Sequence, residues 1–166
     1  MSSLTRTNLL LAVGVLLLGL MYTFEPGLKS PSNKPITALD VNQVKELKLY
    51  RQRALALSLK HEHGHWIALP PLPTDCANSD CRVTQPELLD KWLHFAELPS
   101  LHSFPAPQER LHEFGLEAPA YQLQLDEQAI FIGRLDPGSR LRYVLVDEQI
   151  HLVSDSYTYT LKQNPW

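Results

Sequence analysis

The sequence predicts an α+β protein in which an N-terminal transmembrane helix precedes antiparallel β-meanders of about three and four strands, with two short helices between them. Three observations support this fold class. An apolar run without charges lies near the N-terminus, alternating apolar and polar residues fall into two groups, and helix-like spacing occurs between those groups. We therefore divide the chain into an anchor, residues 1–24, a Pro-rich linker, residues 25–38, and an extracytoplasmic domain, residues 39–166.

The apolar run extends from Asn8 to Phe24 and contains no charged residue. At a rise of about 1.5 Å per residue it spans roughly 25 Å, near the lower limit for crossing a hydrocarbon core of about 30 Å. A cleaved secretory signal peptide is the alternative, because Arg6 precedes the run and a polar segment follows it. Since no A-x-A-like cleavage pattern occurs between Gly19 and Pro26, we expect a retained signal anchor in contact with membrane lipid.

The orientation of the anchor follows from the lengths of its flanks. Arg6 lies on one side and Lys29 and Lys34 lie on the other, so positive charges give little guidance. A short N-terminal tail followed by about 140 residues is typical of a single-pass protein with its N-terminus in the cytoplasm. In a bacterium, this arrangement predicts an inner-membrane protein whose C-terminal domain is periplasmic.

The charge balance excludes one class of partner. Without Arg6, the chain has 14 basic and 18 acidic residues, a net charge near −4. Such a domain does not attract nucleic acid or anionic lipid surfaces.

The prolines Pro26, Pro31 and Pro35 make residues 25–38 unsuited to burying apolar surface, and this composition predicts a linker.

The first group of alternating residues predicts a three-stranded antiparallel meander. The pattern is clear in VKELKLYR, residues 44–51, and in ALALSLK, residues 54–60. The polar RQR at residues 51–53 suits a turn between these strands. The HEHGH segment, with Gly64, suits the next turn, before the strand WIALP.

Two cysteines follow this meander, Cys76 and Cys81 in TDCANSDC. In an oxidising compartment a small disulfide loop is the natural interpretation, worth on the order of 2 kcal/mol or less because the ring is short. Free thiols, a redox pair and half of a metal site remain alternatives. The spacing is C-x4-C and differs from the C-x2-C of thioredoxin-like and zinc-ribbon motifs.

Two short helices are predicted between the meanders. Thr84 and Glu87 form a capping-box pattern at the start of the first helix, which ends near Leu98, before Pro99. Its apolar positions recur at i, i+3, i+4 and i+7, a stripe that suits one face of a sheet: Leu89, Trp92, Leu93 and Ala96. The second helix runs from Pro107 to Phe114, with Gly115 as its left-handed cap and Leu116 folding back onto it.

The C-terminal block predicts four further strands: YQLQLDE, AIFIGRL, RLRYVLV and QIHLVS. The connections between them, DEQ, DPGS and DEQ, have hairpin length. In the central connection Pro137 presets φ and Gly138 accepts a positive φ, which favours a tight turn after Asp136. A second antiparallel meander follows from this spacing. Its outer edges are candidates for pairing with a partner strand.

Several segments carry a family resemblance: TALD followed by VKELKL, GHWIALPP, EFGLEAPAYQLQL, and IGRLDPGSRLRYVLV with the later IHLV. From about Pro35 to the C-terminus, the chain resembles the bacterial family catalogued as domain of unknown function 4340 (DUF4340). The resemblance implies a membrane-anchored protein, in some genomes encoded beside transport-system genes, with no established activity or catalytic residues. The chain departs from the family in having a single short copy and an added cysteine loop.

The candidate residues for chemistry are His61, His63 and His65, which surround Glu62. Alternate residues of an extended strand share a face, so these imidazoles are candidate ligands for a metal ion. The competing interpretation is a solvated hairpin tip, and we expect no bound cofactor. No G-x-S-x-G or H-E-x-x-H motif is present, so the sequence does not predict an enzyme.

Three functional hypotheses remain. The first is a noncatalytic, membrane-tethered binding or scaffold module of the envelope, acting on a protein partner of unknown identity. The second is a metal-handling or enzymatic accessory that uses the histidine-rich hairpin. The third is an auxiliary component of a transport system, which rests on family association alone.

Overall fold

The computed structural model describes residues 13–15, 34–70, 83 and 85–165. The chain divides into two compact units, Met1–Ser30 and Pro31–Trp166. Residues 13–15 are helical, and among the described residues no helix has both the length and the apolar character needed to cross a bilayer. Most of the predicted anchor, Asn8 to Phe24, and both cysteines, Cys76 and Cys81, lie outside the described residues.

Eight antiparallel strands in the described part of the second unit form one sheet. Their bounds are β1 Glu46–Arg51, β2 Ala54–Glu62, β3 His65–Ala68, β4 His102–Pro105, β5 Tyr121–Leu125, β6 Gln128–Leu135, β7 Leu141–Val146 and β8 Gln149–Ser154. The strand order is β3-β2-β1-β5-β6-β7-β8-β4. The mostly antiparallel α+β character is therefore confirmed.

The prediction of two separate meanders is wrong, because β1 pairs with β5 and joins them. Leu47 lies opposite Leu125 and Leu49 lies opposite Leu123, and all four side chains are fully buried. All four belong to the main core, where burying a leucine side chain is worth about 1.5–3 kcal/mol, so one continuous apolar face is covered on both sides of the seam. Pairing across this seam also leaves neither meander with an exposed inner edge.

The strand β4 is an element that the sequence patterns did not predict. It has four residues, ends in Pro105 and pairs with β8, so that His102 lies opposite Leu152. The expectation that the long C-terminal strands have a free outer edge is therefore wrong for β8. In the described part of the sheet both edge strands, β3 and β4, are only four residues long.

Several strands are joined by two-residue turns. Both central residues have positive φ in Gln52-Arg53 (49° and 67°), His63-Gly64 (51° and 80°) and Asp147-Glu148 (45° and 63°). Such type I′ turns match the right-handed twist of the strands they connect. The predicted turns at RQR and HEHGH are confirmed.

The connection between β6 and β7 differs from the prediction, because the positive φ occurs at Arg140 (60°) and not at Gly138. The Asp136 carboxylate accepts hydrogen bonds from the Ser139 backbone N–H at 2.8 Å and its hydroxyl at 2.6 Å. These bonds hold the turn closed as far as Ser139. The chain then reverses at Arg140, whose N–H donates to the Asp136 carbonyl at 3.2 Å.

The helix α1 (Pro86–Leu93) covers the main apolar face of the sheet and continues as a 3₁₀ segment, His94–Glu97, with Leu98 as its cap. The predicted stripe is confirmed: Leu89, Trp92, Leu93 and Ala96 are all buried in the main core. The N-cap is Gln85, without a side-chain cap bond, and Thr84 lies outside the described residues. Pro86 at the first helical position fixes φ where no N–H is needed.

The last residues of the segment 25–38 belong to the ordered domain. Ile36 donates its N–H to Leu98 O at 3.0 Å, and Thr37 donates to Ala96 O at 3.2 Å. Both residues are buried. The chain therefore enters the domain along the C-terminal end of the α1 segment.

A second, smaller apolar cluster covers the opposite face of the sheet. The 3₁₀ segment Gln108–Phe114 lies over this face, where Phe114 contacts Phe104 and Tyr143 with ring centroids 5.6 Å and 5.0 Å apart. Gly115 has the predicted left-handed conformation (φ 68°), and Leu116 donates its N–H to Leu111 O at 3.0 Å. The predicted glycine cap and the buried Leu116 are confirmed.

The close contact between this cap and β6 predicts the effect of substituting Gly133. A Cβ at Gly133 would lie 2.3 Å from the Phe114 carbonyl oxygen and 3.1 Å from the Leu116 side chain. We expect Gly133→Ala to lower the free energy of unfolding by about 1–3 kcal/mol, the usual cost of overpacking. Gly138→Ala is the matched control, since its nearest neighbour would be 3.5 Å away. Equal denaturant midpoints for the two variants would contradict this packing.

Candidate functional site

Arginines are concentrated at one end of the sheet, and several turn carboxylates lie at the other end. Because neighbouring strands alternate in direction, the residues that end one strand and begin the next lie together. One end carries Arg51, Arg53, Arg134, Arg140 and Arg142, and the other end carries Asp126, Glu127, Asp147 and Glu148. We call these the arginine end and the carboxylate end. Glu117, Asp136 and Asp155 lie at the arginine end as well, so the arginines there are in moderate excess over carboxylates.

Two residues at the arginine end have structural partners. Arg51 donates to Leu161 O at 3.0 Å and to Gln163 O at 2.7 Å, which holds the C-terminal segment against β1. Arg142 forms an ion pair with Asp155 and donates to Gly133 O at 2.6 Å. Both side chains fix local structure and are not free for a ligand.

The other residues at this end are available to a ligand. Arg53 is exposed and makes one hydrogen bond, from Nη2 to Glu117 O at 2.6 Å. Arg134 and Arg140 are exposed, and neither side chain forms a hydrogen bond or close ion pair with another described residue. Arg134 interacts with Glu113 at longer range and contributes to the lowered pKa of that carboxyl group. These three guanidinium groups keep donors for an anionic group.

Two clefts adjoin each other at the arginine end, and each has a volume of about 380 Å³. The first is lined by Gln52, Arg53, Ala118, Pro119 and Ala120. The second is lined by Gly115, Ala118, Ala120, Gly133, Arg134, Leu135 and Arg142. Since Ala118 and Ala120 line both clefts, we treat them as one surface, the paired cleft.

The lining of the paired cleft is apolar and cationic. It combines small apolar residues with arginines, and Leu135 at the rim is 43% exposed. None of the lining residues is a serine, cysteine, histidine, aspartate or glutamate, so the cleft contains no nucleophile, general base or carboxylate ligand. The chain also carries no recognised catalytic motif.

The local sequence explains why these clefts form. The loop GLEAPA, residues 115–120, has small side chains at Ala118 and Ala120, which leaves space on both sides of it. Gln52 donates its N–H to Ala120 O at 3.0 Å, and this bond places Arg53 beside the loop. Sequence reasoning missed this site, although the arginines at alternating strand ends were a usable signal.

The histidine candidates do not converge. His61 lies opposite Trp66 and stacks on its ring at 5.1 Å, whereas His65 lies opposite Glu62. Since residues 61 and 62 point to opposite faces of β2, the His61 and His65 side chains also point apart. Across the described ranges, which include all three histidines, no group of three His, Cys, Asp or Glu residues is placed to hold a metal ion.

Comparison with protein-family models, curated proteins and solved structures gives no match to this chain. The resemblance to DUF4340 therefore rests on its sequence patterns. The structure places several of those patterns together, because Phe114 and Leu116 pack against Gly133, Gly115 packs against Arg134, and Phe114 contacts Tyr143. The pattern residues in this region hold one wall of the paired cleft.

A hydrogen-bonded network next to the paired cleft fixes the β6–β7 loop. Asp136 accepts from the Tyr143 hydroxyl at 2.6 Å as well as from Ser139. Hydrogen bonds from Ser139 and Tyr143 lower the pKa of Asp136 from 3.8 to about 2. Burial, with the Asp136 bond, raises the pKa of Tyr143 to about 12. The network therefore favours an ionised Asp136 and a protonated Tyr143.

This network predicts a stability change in acid. Because the pKa of Asp136 is lower in the folded state, its contribution is complete above pH 3.8 and is lost as the pH falls through about 2. We expect Asp136→Asn to unfold at lower denaturant concentration at neutral pH, and to lose less further stability in that acidic range. Tyr143→Phe, which removes one of the hydrogen bonds, should have a smaller effect. Parallel pH profiles for Asp136→Asn and the unmodified protein would contradict this assignment.

The divergent histidines predict weak metal binding. Calorimetric titration of the full-length protein with zinc should show no stoichiometric site that depends on His61, His63 and His65. Replacing all three by serine should leave the unfolding midpoint close to its original value, with a small loss from the His61–Trp66 stacking. A stoichiometric zinc site that disappears in the triple variant would instead support the metal-handling hypothesis.

Proposed function

We propose that this chain is a single-pass, membrane-anchored protein of the bacterial envelope whose periplasmic domain is a noncatalytic binding or scaffold module. The observation that carries the proposal is the paired cleft at the arginine end. It combines apolar lining with exposed guanidinium groups and lacks reactive side chains. Concave surfaces with a few convergent polar groups are the usual location of ligand binding.

The short sheet edges favour binding at the paired cleft over the addition of a partner strand to the sheet. Peptides that extend a sheet need a row of free backbone groups along an edge strand. The edge strand β4 has only four residues and includes Pro105, which has no N–H. On β3, which is equally short, Trp66 O accepts the Val83 N–H at 3.3 Å. Both edges thus offer limited pairing capacity.

The proposed anchor makes a weak contact sufficient. A domain held at the membrane meets a membrane partner at a raised effective concentration, so a small surface achieves useful occupancy. The anchor sequence itself offers little specific helix pairing, because Gly14 and Gly19 are five residues apart and do not form a GxxxG motif. The proposal therefore assigns recognition to the domain and attachment to the apolar run.

Exchanging the anchor tests this division of roles. We expect a chain in which Leu9 to Phe24 is replaced by an unrelated single-pass helix to complement a deletion strain. The same domain released into the periplasm should complement poorly, because it loses the effective concentration that attachment provides. The readouts are growth phenotype, protein level and accessibility of the domain to an added protease.

Two further outcomes decide against the proposal. Failure of the exchanged anchor, at normal protein level and topology, would assign recognition to the membrane helix. The substitution Ala118→Trp fills the paired cleft. If a chain with this substitution rescues the deletion phenotype, the cleft is not needed for the function. Asp90→Trp serves as the bulky control, since Asp90 is exposed on α1, away from the paired cleft.

A further inference from the structure

We infer that the paired cleft binds an acidic segment of a partner protein, with partner carboxylates on Arg53 and Arg134 and an apolar partner side chain between them. This inference rests on the proposed function, because it names the class of partner for the same cleft. Three features carry it: the unpaired guanidinium groups, the apolar lining, and the charge distribution over the rest of the domain.

The guanidinium groups select carboxylates. Arg134 is exposed and forms no side-chain hydrogen bond within the described residues, although it interacts at longer range with the Glu113 carboxylate, and Arg53 uses one donor on Glu117 O. An arginine offers a planar set of donors that matches a carboxylate in a two-point contact, and such charge-assisted bonds are stronger than neutral ones. Arg53 lines the first cleft, and Arg134 lines the second together with Arg142, which is held by Asp155. Arg53 and Arg134 are therefore placed to contact two acidic residues of one segment.

The lining between the arginines is suited to an apolar side chain. Ala118 and Ala120 line both clefts, Pro119 lines the first, and the partly exposed Leu135 lines the second. A leucine-sized side chain seated there would leave water together with these groups, which favours binding. The ligand that fits is therefore an acidic segment that also carries apolar residues.

The rest of the domain disfavours other anions. The net charge near −4 and the carboxylate end repel extended polyanions such as nucleic acid and anionic membrane surfaces. Glu117 is exposed in the loop that lines the cleft, which adds a local repulsion against dense negative charge. A single segment with spaced carboxylates meets both arginines and avoids most of this repulsion.

The direct test uses the full-length protein in detergent micelles and a short fluorescein-labelled peptide in which aspartate alternates with leucine. Fluorescence anisotropy should show saturable binding that weakens with added salt, because the contacts are partly exposed. Arg53→Glu and Arg134→Glu should each weaken binding about tenfold or more, as charge reversal in an interface does. Lys45→Glu is the charge-matched control: Lys45 is exposed but lies at the start of β1, at the other end of the sheet.

Control peptides separate the two kinds of contact. Lysine in place of aspartate should abolish binding, and serine in place of leucine should weaken it. Equal binding of the serine peptide, or arginine-dependent binding of anionic vesicles or inorganic phosphate in place of the peptide, would overturn the acidic-segment assignment. Sedimentation gives a further test. If the protein self-associates through these arginines and the peptide does not displace the second copy, the occupant of the cleft is the carboxylate end of that copy, and the assignment is overturned. Thermal unfolding of each variant verifies that it is folded.

A photoreactive residue at position 118 in living cells distinguishes this inference from the proposed function. A cross-linked envelope protein, together with no binding of the acidic peptide, would overturn the acidic class and leave the binding module standing. No cross-linked protein and no peptide binding would overturn both. A cross-link that is lost in the Arg134→Glu variant, together with peptide binding, is the result we expect.

Discussion

The pairing of β1 with β5 is the interaction on which both the fold and the candidate site depend. It joins two meanders that are distant in sequence and buries Leu47, Leu49, Leu123 and Leu125 along one seam. The same register places Arg51 opposite Tyr121, so the β1–β2 turn lies beside the loop that precedes β5. The paired cleft exists because of this register, since one wall comes from each meander.

The second wall depends on close backbone packing. Gly115 and Gly133 permit a contact between the Gln108–Phe114 segment and β6 that a side chain at either position would obstruct. This contact positions Arg134 and Leu135 at the rim of the cleft. The hydrogen bonds of Asp136 hold the next loop in place. The residues that hold this wall together are thus glycines or a hydrogen-bonded carboxylate. The arginines without close ion-pair partners remain on the surface.

Local sequence patterns predicted the elements but not how they associate. Alternating residues identified most of the strands, Gly115 identified the cap, and the α1 stripe identified the covered face. The β1–β5 seam was missed because pairing between distant strands leaves no local signal. The strand β4 was missed because four residues ending in Pro105 show no alternation. Arg140 has the positive φ expected of Gly138, because the Asp136 side chain and not the glycine determines where the loop reverses.

The most direct test of this account is the register at the seam, measured by nuclear magnetic resonance on the full-length protein. Antiparallel partners that do not share hydrogen bonds bring their α-hydrogens close, with Cα atoms about 4.5 Å apart. The β1–β5 register predicts strong cross-peaks between the α-hydrogens of Leu49 and Leu123, and of Arg51 and Tyr121. Cross-peaks that pair β1 with another strand, or shift its register on β5, would separate the two walls of the cleft and contradict the account.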